Sequence, residues 1–170
     1  MQAPHTHLGF RWVQFLSSKI LQCIRLRSQF PAQVFSDTIS SSSFWDAKQN
    51  ELNPALRIEP ANTKDVSTIL KILIEENCHF AIKSGGLARG AGSSNADGGV
   101  TIDLVRLNDV EIAKDRKSVK VGGGGKWFDV YSKLDPHGLT VLGGRVSIVG
   151  VGGFLLGGEY TPIPTPEVGS

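Results

Sequence analysis

Two cysteines in 170 residues are too few for a disulfide framework. Neither Cys23 nor Cys78 stands in ligand spacing with His5, His7, His79 or His137, so no metal site is expected. They read as two free thiols, Cys23 in a leader and Cys78 buried at a strand end. Acidic residues are missing from the first 36 positions, where Arg11, Lys19, Arg25 and Arg27 give +4 against −2 for the remainder. The net charge of +2 is too small to support nucleic-acid binding. No apolar run approaches the roughly 18 residues that cross a bilayer, so no transmembrane segment is expected. Ser17, Ser18 and Lys19 interrupt the compact apolar stretch a secretory signal needs. The compartment stays open, with the cytoplasm as default.

What is present describes one soluble, globular domain: 40% hydrophobic and 20% charged residues over a length that fits a single core. The basic head places Val13, Leu16, Ile20 and Ile24 on one helical stripe, which suits a packing helix, a leader or a membrane-surface helix. Composition divides the chain into that head at 1–36, a body at 37–160 and a proline-rich tail at 161–170.

The body reads as strand, helix, strand, glycine-rich loop, strand. Ala55 to Glu59 alternates as a strand, Pro60 breaks it, and Asn62 or Thr63 caps a helix with Val66, Ile69, Leu70 and Leu73 on one face. Asn77 stops that helix. Strands follow at His79–Lys83 and Val100–Leu104, then a hairpin from Val110–Ile112 and Ser118–Val121. Trp127, Val130, Tyr131 and Leu134 fall at i, i+3, i+4 and i+7, predicting a second helix that ends at Asp135-Pro136-His137-Gly138. Leu139 to Leu142 is strand-like again.

Of the 20 glycines, 18 lie between Gly85 and Gly158, and all of these but Gly138 fall in the clusters KSGGLARGAGSSNADGG, VGGGGKW and GGRVSIVGVGGFLLGGE. Glycine inside regular structure is unfavourable by about 0.5–1 kcal/mol relative to alanine, so these clusters mark backbone that turns sharply or approaches something closely. Tight turns are one reading. The other is anion binding, because consecutive glycine amides can curve around a phosphate with no side chain in the way. Gly90 is followed by Ala91, which excludes a Walker A loop, and there is neither a G-x-G-x-x-G after the first strand nor a G-x-S-x-G.

The stretches PALRIEPANTKDVSTILKIL, CHFAIKSGG, DGGVTIDLVRLN, VGGGGKWFDVYSKLDPHGLTVLGGR and VGVGGFLLGG together resemble the FAD-binding domain of the vanillyl-alcohol oxidase or berberine-bridge-like flavoproteins. That domain is also named after p-cresol methylhydroxylase (PCMH-type), and the likeness is strongest to fungal FAD-linked oxidoreductases. The resemblance implies an α+β fold of two small α/β subdomains, incomplete at the C-terminus. It implies FAD as cofactor, with Ser84, Gly85, Gly86, Leu87 and Ala88 holding the pyrophosphate and Gly144, Ser147, Val149, Gly150, Gly152 and Gly153 lining the ribityl and flavin-edge region. Asp129 and Tyr131 also match family positions, yet suit a helix-cap contact and a core aromatic equally well.

Departures from the family pattern qualify what is implied. Leu87 stands where a histidine usually bonds the flavin, and Val146 where bicovalent members have cysteine, so any FAD is expected to be non-covalent. Glu159 replaces the third glycine of L-G-G-G. Members commonly bridge an early cysteine to a later one, but the matching early position in Pro-Ala-Cys is Leu56. The family's substrate domain, with its catalytic base, follows beyond the length seen here. The resemblance therefore implies either an oxidoreductase acting on a small, possibly secondary-metabolite, substrate or a truncated, non-catalytic flavin-binding scaffold. No catalytic residue is expected in this stretch, and oligomeric state is left open.

Overall fold

A computed structural model of the chain describes residues 24–35 and 44–158. In order, the elements are α1 (Ile24–Gln29), β1 (Val34–Phe35), α2 (Ala47–Asn50), β2 (Leu56–Ile58), α3 (Thr63–Glu75), β3 (Phe80–Lys83), β4 (Val100–Asp103), β5 (Val110–Ile112), β6 (Val119–Val121), α4 (Trp127–Leu134) and α5 (Val151–Gly157). Short 3₁₀ turns follow β4 at Leu104–Arg106 and α4 at Asp135–His137. This is the expected α+β arrangement, with two separate hydrophobic cores.

The first core lies between α3 and a four-stranded sheet of order β1-β2-β4-β3. Strand β1 runs antiparallel to β2, while β2, β4 and β3 are parallel. Helix α3 starts where the sequence says it should: the Asn62 side chain accepts from the Asp65 amide at 2.9 Å, satisfying a donor that the first turn leaves free. It ends at Asn77, whose φ of 51° turns the chain left-handed, and the Cys78 amide closes onto the Leu73 carbonyl at 2.8 Å. Its Ile69, Ile72 and Leu73 are buried against Leu56, Ile58, Val100 and Ile102.

Strand β4 is central and buried on both faces. Its alternation sends Val100 and Ile102 into the first core and Thr101 and Asp103 to the opposite side. That second face is polar but paired: Thr101 bonds Asn95, and Asp103 accepts from the Lys83 ammonium at 2.9 Å.

The second core packs the β5–β6 hairpin against α4 and the start of α5. Trp127, Val130 and Leu134 are buried, and Tyr131 is half-buried beside them, so the predicted stripe faces inward. Leu139 to Leu142 forms no strand. The segment finds no partner ladder among the described residues, although Leu139 and Val141 do pack onto this core.

Helix α1 belongs to the first layer, where Leu26 is fully buried in the first core. Val13, Leu16 and Ile20, like Glu159 and the 161–170 tail, lie outside the described residues. The expectation of free thiols is overturned, since Cys78 is disulfide-bonded. Cys23, the one other cysteine in the sequence, lies outside the described residues. The physical reason is the docking of α1 on α3. Arg25 reaches Glu75 at 2.8 Å, which carries the chain just after residue 23 to the end of α3, three residues before Cys78.

Candidate functional site

Strands β3 and β4 run parallel and end together at Lys83 and Asp103, whose buried ion pair at 2.9 Å ties the two ends. Ligands in parallel sheets bind beyond such carboxyl ends, where the connecting loops part. The loop leaving β3 begins with Ser84, whose hydroxyl donates to the Gly123 carbonyl at 2.6 Å. Next to it, Gly85 lies backbone to backbone against Gly150. A Cβ at Gly85 would stand 2.5 Å from the Gly150 nitrogen, closer than any side chain can come. A Cβ at Gly152 would stand 2.6 Å from the Gly123 carbonyl oxygen. The three glycine clusters, distant in sequence, thus meet at one place because only bare backbone lets them.

Their junction borders a cavity of about 420 Å³. Ser84, Gly85, Gly86, Leu87 and Ala88 line it from one side, and Val149, Gly150, Gly152 and Gly153 from the other. Two expected site residues are elsewhere. Gly144 is packed beneath the Trp127 indole, where a Cβ would clash with the ring, and Tyr131 donates to the Gly144 carbonyl at 3.0 Å. Ser147 borders a separate depression with Lys126, Phe128 and Asp129. The sequence reading missed Ile82, Ser93, Ser94, Leu104, Phe154 and Leu156, which complete the wall. Ile82 and Leu104 could have been found as the strand ends flanking the loop, and Ser93 and Ser94 sit inside the first glycine cluster.

No acidic, basic or histidine side chain lines the cavity among the described residues. The amides of Gly85, Gly86, Leu87 and Ala88 have no acceptor among the described residues either. These amides are free to donate to an anion, and no acidic side chain on the wall repels one. A diphosphate fits it chemically: the loop supplies main-chain N–H groups, and a Cβ has no room at Gly85 or Gly150. Asp129 takes the cap role, accepting from the Lys126 amide at 3.2 Å, and Tyr131 the core role, its ring 5.8 Å from that of Trp127.

A main-chain cradle at the carboxyl ends of parallel strands, walled on its far side by a second small layer, defines a domain for a phosphate-bearing nucleotide cofactor. Known proteins make that class specific. The family model for an FAD binding domain matches residues 54–163, and the chain belongs to that family, the PCMH-type domain of vanillyl-alcohol oxidase and berberine-bridge-like flavoproteins. Its cofactor is FAD. The chain is 38% identical over 118 residues to the FAD-dependent monooxygenase tpcD of Cochliobolus heterostrophus, covering 69% of this chain and 23% of that protein. It is 45% identical over 114 residues to the FAD-dependent monooxygenase drtC of Aspergillus calidoustus, covering 65% and 22%. In fold it is similar to glucooligosaccharide oxidase from Acremonium strictum, with a TM-score of 0.67 at 20% identity over 82% of this chain and 30% of that one. The chain thus spans under a quarter of the length of those two fungal relatives.

Proposed function

We propose that these residues are the cofactor-holding part of a flavin-dependent oxidoreductase that oxidises a small organic molecule, as the names of the fungal relatives suggest. The observation that carries this reading is the meeting of the three glycine clusters at one junction, beside an uncharged cavity that glycine backbone of the first and third clusters lines together with apolar side chains. FAD, when bound, supplies the acceptor for a hydride equivalent from the substrate. The protein's share here is to hold the diphosphate with the amides of Gly85 to Ala88 and to bring Val149, Gly150, Gly152 and Gly153 against the rest of the cofactor. Proton transfer is assigned to residues outside this cavity, because its wall carries no titratable side chain. That same observation favours the second reading, a flavin-holding scaffold without turnover of its own. Substrate-dependent release of hydrogen peroxide separates the two.

FAD is held without a covalent bond in this reading. The Acremonium enzyme's FAD is described as 6-S-cysteinyl and 8α-N1-histidyl, whereas Leu87 on the cavity wall and the exposed Val146 offer no nucleophile. After acid precipitation of the loaded protein the flavin is expected in the supernatant, and a yellow pellet would contradict this. The flavin-binding unit is taken as the 37–160 body with residues 24–35 added, and the disulfide at Cys78 favours an oxidising compartment over the cytoplasmic default. Among the described residues no helix is long and apolar enough to cross a membrane.

A further inference from the structure

We propose that Gln49 is a positioning residue for the phosphate cradle, anchoring the carbonyls of Ala88 and Gly90 so that the loop carrying the Gly85 to Ala88 amides keeps its course along the cavity. The proposal rests on the FAD reading of the cavity and concerns a residue that touches neither cavity nor cofactor. Helix α2 is a single turn, started by the Asp46 side chain, which accepts from the Lys48 amide at 3.0 Å. It leaves Gln49 fully buried beneath the 84–97 loop. There the Gln49 amide nitrogen donates to the Ala88 carbonyl at 3.4 Å and to the Gly90 carbonyl. Two residues before α2, the Trp45 amide donates to the Gly86 carbonyl at 3.0 Å.

The carbonyls of residues 86, 88 and 90 are therefore all drawn toward one short segment. A trans peptide is planar, with its C=O and the next N–H pointing in opposite directions. The Trp45 bond to the Gly86 carbonyl turns the Leu87 N–H away from 44–50, and the Gln49 bonds to the Ala88 and Gly90 carbonyls do the same for Arg89 and Ala91 while fixing Ala88 beside Leu87. No residue of 44–50 lines the cavity, whereas Gly86, Leu87 and Ala88 do. A loop of glycines and small residues has no such preference by itself, so the direction of its amides must be imposed from behind.

Two further facts separate this from ordinary core filling. The Gln49 side-chain oxygen is buried without a partner among the described residues, which is unfavourable and which an apolar residue of the same volume would avoid. What the amide adds over such a residue is its pair of N–H bonds to the loop. Its own position is fixed in turn: Asn95 donates to the Gln49 carbonyl at 2.8 Å and to that of Leu52 at 3.1 Å, and accepts from the Thr101 hydroxyl at 2.8 Å. The anchor thus runs from the central strand β4 through Asn95 and Gln49 to the cradle.

The test uses the full chain, with Gln49→Met, which keeps volume and loses both donors, and Gln49→Glu, which sets a carboxyl against two carbonyls. Ile72→Ala on α3 serves as a control destabilised elsewhere. Trypsin cleavage after Arg89 and hydrogen exchange of a peptide covering 127–134 are read together with titration by FAD and by ADP. We expect both Gln49 variants to be cleaved after Arg89 at least about tenfold faster, with 127–134 exchange unchanged, and to bind both probes about tenfold more weakly. Ile72→Ala is expected to leave affinity and cleavage after Arg89 unaltered. Unchanged cleavage after Arg89 in either Gln49 variant overturns the proposal, as does faster exchange over 127–134 alongside it, which makes Gln49 a general core residue. Absence of FAD and ADP binding in the wild-type chain contradicts the flavin reading instead, and the cleavage comparison then decides the positioning role alone.

Discussion

Gly85 and Gly153 face the same cavity, yet a methyl group should do opposite things at each. At Gly85 it would stand 2.5 Å from the Gly150 nitrogen, so Gly85→Ala must push two backbones apart. Overpacking of this kind costs about 1–3 kcal/mol, and the cradle should lose FAD with it. At Gly153, inside α5, a Cβ meets nothing within 4 Å, and replacing a helical glycine by alanine stabilises by about 0.5–1 kcal/mol. Gly153→Ala is therefore expected to raise the urea midpoint while weakening FAD, since the new methyl projects where the cofactor would lie. A second residue-scale prediction concerns pH. Burial pushes the Tyr131 phenol above its ordinary value of 10.0. The folded state then holds this proton more tightly than the unfolded chain, so the contribution is constant below about pH 10 and is lost as pH rises beyond it. Tyr131→Phe should flatten that alkaline fall in urea midpoint. At neutral pH it should lose about 1 kcal/mol with the hydrogen bond to the Gly144 carbonyl.

Elements were legible where side chains carried the signal. Helix α3 announces itself through Asn62, a stripe of branched apolar residues and the left-handed stop at Asn77, and α4 through Trp127, Val130 and Leu134. Helix α5 did not, because Gly152 and Gly153 have poor helix propensity and their reason for being glycine lies across the molecule, at Gly123 and in the cavity. The site shows the same division. Gly85 and Gly150 were read as close-approach backbone and are so, but Gly144, placed by resemblance, gives its open face to an indole ring. Nothing local in GGR distinguishes the two cases. The same indole makes α4 the keystone of its layer: Trp127 lies against Gly143, Gly144, Tyr131 and Phe154. Trp127→Ala is expected to cost about 3–5 kcal/mol, seen as a lowered urea midpoint and loss of near-ultraviolet dichroism. Loosening of the 149–153 wall should follow, measured by hydrogen exchange.

At the scale of the whole molecule, two small cores are joined by bare backbone, and a covalent tie ends in Cys78 at the edge of the first. Sequence spacing could not reveal that tie, because it depends on α1 docking against the end of α3. Removing a native disulfide from a small domain typically costs about 2–5 kcal/mol, so reductant should lower the thermal midpoint, and alkylation of unreduced protein should label no thiol. Phe128, Leu155 and Leu156 are exposed, and Leu156, at 92%, leaves apolar surface open at the cavity. Ordering the glycine loops around a cofactor opposes binding by about 1–2 kcal/mol per residue fixed. Against this stand charge-assisted bonds of about 1.5–3 kcal/mol each. The bonds alone would suffice for the micromolar range, about −8 kcal/mol, and the ordering cost makes the expected affinity weaker than that. The central claim is that the converging glycine backbones hold FAD by its diphosphate. Titration of the chain with FAD by flavin-fluorescence quenching, repeated with ADP and with riboflavin as competitors, tests it most directly. The account predicts saturable quenching that ADP reverses and riboflavin does not. Quenching reversed by riboflavin but not by ADP, or no binding at all, would contradict it.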